Sequence, residues 1–593
     1  MKNKTCIISL LLVLSVFNGL STLTKAATLP TIPSATFDIT NYGAVNSTSI
    51  DNTLSIQQAI NACSTAGGGT VIIPSGTFLS GPISMKNNIN LQISSGAILR
   101  LLPYGSGNGI VPGTYPNSGT TGDYTDFIYG KNLTNIEVSG MGTIDGQGSD
   151  WWTAYKANSA ISRPCLIRFD GCTNIAILGI SLQNAPNVHI TIGKSSSNAS
   201  IANITISAPS TSPNTDGIDT WSPNIDITNC NIACGDDNVA MDSGSQNIRI
   251  KNCTFGTGHG CSIGSYAANI SNILVDSCSF TGTTSGIRMK TSRDRGGVEQ
   301  YLTYTNITMT NVATPISITS YYPNTPSTPS SDPSQAITAN TPAWQHILLK
   351  NITITGSPNA GVIWGLPEKS ISDVVLDSVK ILATSGMKAY FVTGLIFKNG
   401  SSITVTNGNA ITTYNATVSG INLVTGKSSY VIAATVNPAN SGSITGAGTF
   451  TYGQNITLTA TPSAGFSFTK WTGGNTDIST NATLTFTADS DRVIVANFIS
   501  VATIIKDAFE SKTMLMYPNP SHGKFSIYLD NEFKGEITLT VYNEIGNKSK
   551  TIKLEKTARS LNYEADFENL PKGIYFITLQ ANNFNISKKI ELQ

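Results

Sequence analysis

Four short polar clusters lie within one stretch of a chain that is otherwise poor in charge. They are Asn214-Thr-Asp216-Gly-Ile-Asp219, Gly235-Asp236-Asp237-Asn238, Gly258-His259-Gly260 and Arg288-Met-Lys290. Charged residues make up only 12% of the sequence, about half of the usual quarter. Three carboxylates brought together cannot all ionise easily, so one of them should keep its proton. Such a cluster supplies a general acid beside carboxylates that activate water, which is the acid–base chemistry of an inverting hydrolysis.

The basic pair is suited to an anionic ligand. Arg288 and Lys290 are two positions apart in a strand-like segment, so both side chains project from the same face. Together they form a positive fork that fits the carboxylate of an acidic sugar. Asp236 and Asp237 would diverge in a regular strand, but Gly235 before them permits a turn or bulge through which both reach one site.

Each cluster taken alone also has an ordinary structural interpretation. An Asp-Asp pair after Gly is usually a turn, and Asp219 and Asp242 can be explained in the same way. The basic pair alone would be a solvated surface pair. His259 could be a loop residue, although glycine on both sides leaves room for a ligand to approach closely. His189, which follows Asn184-Ala-Pro-Asn, could line the cleft one coil earlier.

A sequence repeat predicts how the clusters are brought together. Short alternating segments begin at Asn135, Asn174, Asn203, Asn224, Asn247, Asn272, Asn306 and Asn351. Period-two, β-branched runs that recur at intervals of 21, 23 and 25 residues from Asn203 to Asn272 predict an all-β solenoid of stacked strands, a parallel β-helix. The intervals from Asp216 to Asp237 and from Asp237 to His259 are 21 and 22 residues. Residues one coil apart stack at about 4.8 Å, so we expect the clusters to form a column on one face.

The ends of the solenoid and its cysteines allow further predictions. Ser55 to Cys63 is predicted to form a short amphipathic helix that caps the first coil. Three cysteines hold one place in the repeat and should stack as small buried hydrophobic residues: Cys230, Cys253 and Cys278. The sequence leaves open whether disulfides form among the others, which are Cys63, Cys165, Cys172, Cys234 and Cys261.

The first 26 residues have the character of a signal peptide. Lys2 and Lys4 precede an apolar run from Cys6 to Val16, and small residues follow at Ala26-Ala27. A membrane anchor is the alternative, but the run is too short to span comfortably. The formal net charge is +1, so no global field attracts nucleic acid or a membrane. An anionic substrate would therefore have to be held by a local cluster of positive charge.

The four clusters, in this order, resemble the signature of glycoside hydrolase family 28, the polygalacturonases. The resemblance covers about residues 35 to 425 and includes the segment from Phe37 to Phe78 and Gly142-Thr-Ile-Asp-Gly-Gln147. It implies a right-handed parallel β-helix that is secreted and hydrolyses α-1,4-galacturonosyl linkages of pectin with inversion. It implies no metal and no cofactor, a pectic polysaccharide as partner, no nucleic acid, and a monomer.

The resemblance also implies roles for single residues. Asp236 matches the general acid that protonates the leaving oxygen, and Asp216 and Asp237 match the carboxylates that activate the attacking water. His259 matches a histidine that assists the acid.

Substrate contacts are implied in the same way. Arg288 and Lys290 match the pair that grips the galacturonate carboxylate, and Asn214 matches an asparagine that contacts substrate. Tyr322 matches a tyrosine of the cleft, although the adjacent Tyr321 leaves the register open. Two departures from the family pattern exist. Asn238 stands where many relatives have a disulfide cysteine, and the motif before His189 is looser than usual.

Two further units follow the predicted catalytic domain of residues 27–427. Residues 428–500, with Val436-Asn-Pro438, Lys470-Trp471 and Ala496-Asn-Phe498, resemble the divergent internalin B-repeat module. Trp471 could bind carbohydrate, but a core position is favoured. After a linker at 501–513, residues 514–593 resemble the C-terminal sorting domain of the type IX secretion system. That match rests on Tyr517-Pro-Asn-Pro520 and Leu570-Pro-Lys-Gly573, and it implies outer-membrane crossing by the type IX machinery, then release or surface attachment.

Other functions stay open at this point. A polysaccharide lyase would use the aspartates to hold Ca²⁺ and a basic residue for β-elimination. A surface adhesin would use the same groove without catalysis, and a related hydrolase would act on rhamnogalacturonan or xylogalacturonan. Endo or exo action depends on loops at the ends of the cleft, for which residues 101–125 and 323–342 are the candidates.

Overall fold

The computed structural model describes residues 27–105, 111–117, 124–474, 476–501, 514–582 and 584–593. The expected signal peptide and almost all of the expected linker lie outside these residues. Two compact units are present, one of residues up to 433 with 447–457 and 485–492, and one of 434–446, 458–484 and 493–593. Among the described residues, no helix combines the length and apolar character needed to cross a bilayer.

Thirty-two strands, β1 to β32, form the first and largest sheet. In chain order they are Thr36–Asp38, Ser47–Asp51, Gly69–Ile73, Gly76–Ser80, Ile83–Ser84, Ile89–Ile93, Ala97–Leu101, Ile128–Lys131, Thr134–Gly140, Thr143–Asp145, Ile167–Asp170, Thr173–Leu178, Ser181–Gln183, Ile190–Ile192, Ser197–Ala202, Thr205–Ser207, Ile218–Thr220, Ile225–Thr228, Asn231–Ala233, Val239–Met241, Gln246–Lys251, Thr254–Phe255, Cys261–Ile263, Ile270–Asp276, Ser279–Thr281, Ser285–Lys290, Val298–Thr310, Thr314–Thr319, Ala343–Asn359, Val362–Trp364, Ile371–Lys398 and Ser402–Ser419.

Parallel pairing of every third strand makes this sheet a β-helix with three faces. One face runs through β1, β3, β6, β9, β12, β15, β18, β21 and β24, and a second runs from β2 through β4, β7, β10, β13, β16, β19, β22 and β25. The third face runs through β5, β8, β11, β14, β17, β20, β23, β26, β28 and β30. Near the C-terminal end, β27, β29 and β31 are long enough to bend through corners and contribute to more than one face. The predicted fold is confirmed.

Apolar side chains stack inside the coils in continuous rows. On the first face, Ile177, Ile201, Ile227, Ile250 and Val275 are paired in register from coil to coil, and all are fully buried. Each such side chain contributes about 1.5–3 kcal/mol on burial. The interior is therefore a stack in which every coil completes the core of its neighbours.

The asparagines of the repeat occupy two different turns. One ladder contains Asn224, Asn247 and Asn272, and each amide donates to the preceding one at 2.9–3.0 Å. A second ladder contains Asn203, Asn229 and Asn252, with spacings of 3.3 Å. All six have positive φ, a conformation that asparagine tolerates better than most residues. The single series of repeat asparagines expected from the sequence therefore combined residues from two different corners of the coil.

The predicted cap and cysteine stack are both present. Helix α1 covers Thr53–Thr65 and buries Ile56, Ala59, Ile60 and Cys63, and a second helix, α2, covers Ser149–Ala157. A short 3-10 helix at Ile39–Tyr42 precedes α1. Cys230, Cys253 and Cys278 are buried and free, as predicted from the repeat, and the other five described cysteines are also free.

Fifteen further strands of the described residues, β33 to β47, follow the β-helix, and their described registers are antiparallel. They are Ser429–Asn437, Gly442–Thr445, Gly448–Thr451, Asn455–Pro462, Phe466–Gly473, Thr476–Ser479, Thr483–Thr487, Arg492–Ser500, Met514–Tyr517, Lys524–Asp530, Gly535–Asn543, Lys548–Lys556, Ser560–Asp566, Gly573–Ala581 and Phe584–Leu592. Their sheets have the orders β35-β33-β40-β37-β38, β34-β36-β39, β41-β42-β45 and β44-β43-β46-β47. Trp471 is fully buried and donates to the carbonyl of Asn481 at 3.0 Å, so its core interpretation is confirmed.

The asparagine ladder predicts a measurable loss of stability. Replacing Asn247 with Ala removes two hydrogen bonds and places a residue with a Cβ at φ 56°, so the free energy of unfolding should fall by about 2 kcal/mol. Asn247→Gly loses the same hydrogen bonds without the backbone strain, so its free energy of unfolding should fall only about half as far. Chemical denaturation of the three proteins measures this difference. Equal stability of the Ala variant and the parent protein would contradict it.

Candidate active site

The four polar clusters lie on successive strands of the third face. Asp216 precedes β17, Asp236 and Asp237 precede β20, His259 precedes β23, and the basic pair lies within β26. Backbone hydrogen bonds join these coils directly, because Gly217 N donates to Asp237 O at 2.9 Å and His259 N donates to Asp236 O at 2.8 Å. The predicted column is therefore present.

Glycine and one asparagine make the close approach of these coils possible. A Cβ at Gly235 would lie 2.0 Å from Ser212 O, and one at Gly260 would lie 2.2 Å from Ser285 O. A Cβ at Gly258, before His259, would lie 2.6 Å from the Asn238 side chain and 2.7 Å from Asp236 O. Glycine here thus makes room for adjacent backbone, where the sequence had suggested room for a ligand.

Asn238 fastens three segments behind the site. Its side-chain amide donates to Ile232 O at 3.1 Å and to Thr257 O at 2.9 Å, while its oxygen accepts from Gly260 N at 2.8 Å. The side chain is fully buried. The hydrogen bonds of Asn238 thus connect these segments at the position where many relatives have a disulfide cysteine.

Asp237 is the most strongly paired carboxylate in the column. Its Oδ1 accepts from Arg288 Nη1 at 2.6 Å and from Ser262 Oγ at 2.7 Å, and its Oδ2 accepts from Lys290 Nζ at 2.7 Å. Burial alone would raise the pKa of Asp237, but the hydrogen bond from His259 and the charges of Lys290 and Arg288 hold that pKa below its ordinary value. Asp237 is therefore an ionised carboxylate in the free protein.

His259 joins the two adjacent aspartates. Its Nδ1 lies 2.9 Å from Asp236 Oδ1 and 3.5 Å from Asp237 Oδ1. Hydrogen bonds to these two carboxylates raise the pKa of His259 to about 9. Arg288 Nη1 also approaches Nδ1 at 3.0 Å, but Nδ1 cannot accept from it while donating to Asp236. We assign the donor role, because a carboxylate is the stronger partner and the imidazole is protonated at neutral pH.

Asp216 and Asp219 lie in the opposite electrostatic environment. Burial and then the charges of neighbouring aspartates raise the pKa of each carboxyl well above its ordinary value. Among the described residues, no group donates to Asp219 Oδ1. The column therefore combines two carboxyls that resist ionisation with one carboxylate that is held ionised.

His189 lies behind Asp216 and is fully buried. Its Nδ1 is 2.9 Å from the carbonyl oxygen of Asp216, and its backbone N–H donates to the same carbonyl. Burial lowers the pKa of His189 to about 4, so the ring is neutral. A role in lining the cleft, expected from the sequence, does not fit this placement, because the ring contacts the backbone of Asp216 and has no exposed surface.

Asn214 is exposed and contacts Asp236. Its side-chain nitrogen lies 3.4 Å from Asp236 Oδ2. Its oxygen accepts from Arg163 Nη2 at 2.8 Å, and the same guanidinium is anchored by the carbonyls of Pro186 and Pro213. Arg163 was not found from the sequence because it belongs to none of the repeat segments or polar clusters.

Tyr322, and not Tyr321, is the tyrosine beside the basic pair. The Tyr322 ring centroid lies 4.9 Å from Lys290 Nζ and 5.8 Å from Arg288 Cζ. Tyr321 instead packs in an apolar cluster with Trp364 and donates its hydroxyl to Asp332. The register left open by the sequence is thereby resolved.

Asp236, Asp237 and His259 offer three potential metal-ligand atoms within 4.8 Å of one another. Both oxygens of Asp237, however, already accept from cationic side chains. A divalent cation would have to displace or face those two positive charges, which opposes its binding. The donor set suits protons better than a metal ion.

Three family models match the chain in the order that the sequence motifs implied. The Divergent InlB B-repeat domain matches residues 432–502, the Secretion system C-terminal sorting domain matches 515–593, and Glycosyl hydrolases family 28 matches 63–393. The last of these covers more than half of the chain, so the chain belongs to glycosyl hydrolase family 28. It is a glycoside hydrolase, and its type IX sorting domain makes it a secreted or cell-surface protein.

Individual relatives agree with this assignment. An endo-polygalacturonase of Pectobacterium carotovorum subsp. carotovorum is 34% identical over 356 residues, which cover 56% of this chain and 85% of that protein. The structure of a hyperthermoactive exopolygalacturonase from Thermotoga maritima has a TM-score of 0.52, with 22% identity, and covers 69% of this chain and 98% of that one. An endo-xylogalacturonan hydrolase from Aspergillus tubingensis has a TM-score of 0.52 and 21% identity, covering 62% and 100%. These two structures show the shared fold.

The two electrostatic environments predict opposite effects of two similar substitutions. Asp237→Asn leaves Arg288 and Lys290 without their shared anion and should lower the free energy of unfolding by about 3–5 kcal/mol. Asp216→Asn removes a carboxyl that resists ionisation and should leave stability unchanged or raised at pH 7.

Thermal unfolding at several pH values tests this pair. Because the folded-state pKa of Asp216 is raised, its destabilising effect exists only above the unfolded-state pKa of about 4. The advantage of Asp216→Asn should therefore disappear near pH 3. A loss of stability in both variants at pH 7 would refute the assigned charges.

The pKa of His259 can be measured directly. We expect the imidazole, followed by NMR in histidine-labelled protein, to stay protonated through neutral pH and to titrate near pH 9. In Asp236→Asn the largest cause of that shift is removed, so the pKa should fall towards about 6.5. Asp373→Asn, whose partner is His346, is the control and should leave the His259 titration unchanged. A wild-type value near the ordinary one would contradict the assigned hydrogen bond.

Proposed function

We propose that the chain is a pectin-degrading polygalacturonase that hydrolyses α-1,4-galacturonosyl linkages with inversion. The observation that carries the proposal is the basic pair, since Arg288 and Lys290 face the carboxylate cluster from within one strand of the same column. A neutral polysaccharide has no group that uses this fork, whereas galacturonan presents a carboxylate on every sugar. The names of two endo-polygalacturonase relatives, of which this chain covers 85% each, support the same substrate.

Asp236 is the residue that we assign as general acid. Its carboxyl lies between His259 and Asn214, and its side chain is a quarter exposed, so it can reach a glycosidic oxygen. The proton that His259 Nδ1 shares with Asp236 Oδ1 is the one that Asp236 passes to the leaving oxygen, so the imidazole becomes neutral beside the Asp236 carboxylate. Supplying this proton is the assistance that the histidine provides.

Asp216 and Asp237 are assigned to the attacking water. Asp237 accepts from both cations in the free protein, which makes it a weak base. A galacturonate carboxylate that binds the fork competes with Asp237 for Arg288 and Lys290, and this competition raises the basicity of Asp237. The adjacent carboxyl of Asp216 orients the same water, and Asp237 accepts one of its protons as C1 is attacked.

Two alternatives are less well supported. A calcium-dependent lyase needs carboxylates that are free to hold the ion, but both carboxylate oxygens of Asp237 already accept from cationic side chains. A xylogalacturonan hydrolase shares the fold and the need for a uronate site, so substrate comparison must separate it from plain galacturonan hydrolysis.

All proposed site residues come from one chain, so we propose a monomer as the active form.

Replacement of the acid gives the decisive test. Asp236→Asn should lower kcat on polygalacturonate at least a hundredfold, because it removes the proton donor. Reducing-sugar release measures the rate, and NMR of the first products should show the inverted anomer. Asp373→Asn, a half-exposed aspartate on another face, is the matched control and should retain the parent rate.

Several outcomes would overturn the proposal. Products that absorb in the ultraviolet, together with a calcium requirement, would indicate a lyase. Full sugar binding with no hydrolysis by the parent protein would indicate an adhesin. Faster turnover of xylogalacturonan than of polygalacturonate would move the substrate assignment.

A further inference from the structure

The carboxylate of Asp226 accepts a hydrogen bond from a residue that lies 199 positions earlier in the chain. The backbone nitrogen of Ala27 donates to Asp226 Oδ2 at 2.6 Å. Arg249, in the next coil, donates from Nε to Oδ1 at 2.8 Å and from Nη2 to Oδ2 at 3.0 Å. Asp226 points away from the core, because its neighbours Ile225 and Ile227 face inward, yet it is only 8% exposed. A buried anion on the outside of the first face thus meets a backbone nitrogen of the N-terminal segment.

The segment that begins at Ala27 crosses the first face from β18 back to β1. The strand register forms one outward row between these strands, which consists of Thr36, Thr70, Asn90, Glu137, Ala176, Ser200 and Asp226. Six strand spacings separate the ends of this row, or about 29 Å along the helix axis. Thr36 follows Ala27 by nine residues, and an extended chain covers about 30 Å in nine steps. Residues 27–35 therefore run almost fully extended across these coils, and we call them the N-terminal strap.

The composition of the N-terminal strap suits this path. Pro30 and Pro33 fix their own φ in the extended range and have no N–H that needs a partner. Pro30 and Ile32 are half-buried. Asn90 and Ala176 of the outward row are 8% and 0% exposed, as expected of residues beneath a covering segment. The strap is held at one end by the pairing of β1 and at the other end by the contact with Asp226.

The expected removal of the signal peptide changes the chemistry of this contact. Small residues at Ala26-Ala27 allow a signal peptidase to cut after either alanine. Hydrolysis between Ala26 and Ala27 consumes one water molecule, whose oxygen makes Ala26 a carboxylate and whose two hydrogens make the nitrogen of Ala27 an α-ammonium. That nitrogen is the atom that lies 2.6 Å from Asp226 Oδ2. A cut one residue later would place the ammonium on Thr28, about 3.3 Å further along the strap.

We propose that processing after Ala26 completes an ion pair: the new α-ammonium of Ala27 binds the carboxylate of Asp226 and fastens the N-terminal strap across the first face. A charge-assisted hydrogen bond is about twice as strong as a neutral one, so the mature chain holds the strap more firmly than the precursor, whose Ala27 offers an uncharged amide. A carboxylate has about four acceptor sites, of which Arg249 takes two, so Oδ2 has room for the ammonium. The site lies on a different face from the catalytic column, so its role is independent of the proposed function.

The terminus of the exported protein gives the first test. Terminal sequencing of the mature chain should identify Ala27 as its first residue. Acylation of its α-amine by acetic anhydride, followed by mass spectrometry, should proceed about tenfold more slowly than in Asp226→Asn, because only the undocked amine reacts. Exposed lysines of the same protein give the reference rate. A first residue other than Ala27, or equal acylation rates in the two proteins, would overturn the proposal.

Thermal unfolding tests the ion pair without a change at Asp226. Residues 27–593 are compared with the same chain extended by one glycine before Ala27, which moves the ammonium away and leaves an amide at Ala27. The extended chain should unfold about 2 °C lower, because a charged donor is replaced by a neutral one. Its added α-amine should be acylated about tenfold faster than that of Ala27 in the parent chain. Both measurements remain valid if Asp226→Asn does not fold.

The matched control is Asp276→Asn, which removes another ion-paired aspartate of the first face, bound to Lys251 at 3.0 Å. In this background the added glycine should still lower the unfolding temperature by about 2 °C, whereas in Asp226→Asn it should have no effect. An added glycine that leaves the unfolding temperature of the parent unchanged, or that lowers it equally in Asp226→Asn, would show that the ammonium does not pair with Asp226.

Discussion

The carboxylate of Asp237 is the point on which the proposed active site depends. It precedes β20, and its partners come from the next two coils, with Ser262 in β23 and the basic pair in β26. Three chain segments separated by 25 to 53 residues thus meet at one anion. Regular stacking of coils at about 4.8 Å brings these segments close enough for side chains of ordinary length to reach the same carboxylate.

Such an arrangement costs stability, and the rest of the β-helix offsets that cost. Burying charge is unfavourable unless each ion is paired, and Asp216 and Asp219 are crowded by neighbours of the same sign. The same coils carry rows of fully buried isoleucine on the first face and the hydrogen bonds of Asn238 behind the site. The apolar stack holds the backbone rigid, so the carboxyls cannot move apart to relieve their repulsion. Their raised pKa values follow from burial first and from this crowding second.

The sequence predicted the β-helix, its cap and the column of polar clusters, because each depends on a repeat interval that can be counted. It also predicted the free, stacked cysteines and the buried Trp471. It did not separate the two asparagine ladders, since both have the same spacing and differ only in the corner they occupy. It could not foresee that the glycines near His259 accommodate neighbouring backbone, or that Arg163 supports Asn214. The glycine contacts lie at the repeat interval, but whether a glycine faces backbone or a ligand depends on the three-dimensional register of the coils. Arg163 lies outside the repeat segments and the polar clusters.

The occupied state of the basic pair has a consequence for the proposed reaction. In the free protein Arg288 and Lys290 donate hydrogen bonds to Asp237, and these contacts make Asp237 a weaker base. A substrate carboxylate can recruit the pair only by weakening that contact, so binding and activation of the base are the same event. A neutral sugar of identical shape would fill the cleft, but Asp237 would stay paired with Arg288 and Lys290 and would remain a weak base. Substrate charge therefore acts on catalysis as well as on affinity, and discrimination against uncharged or esterified sugars should appear in kcat and not only in KM.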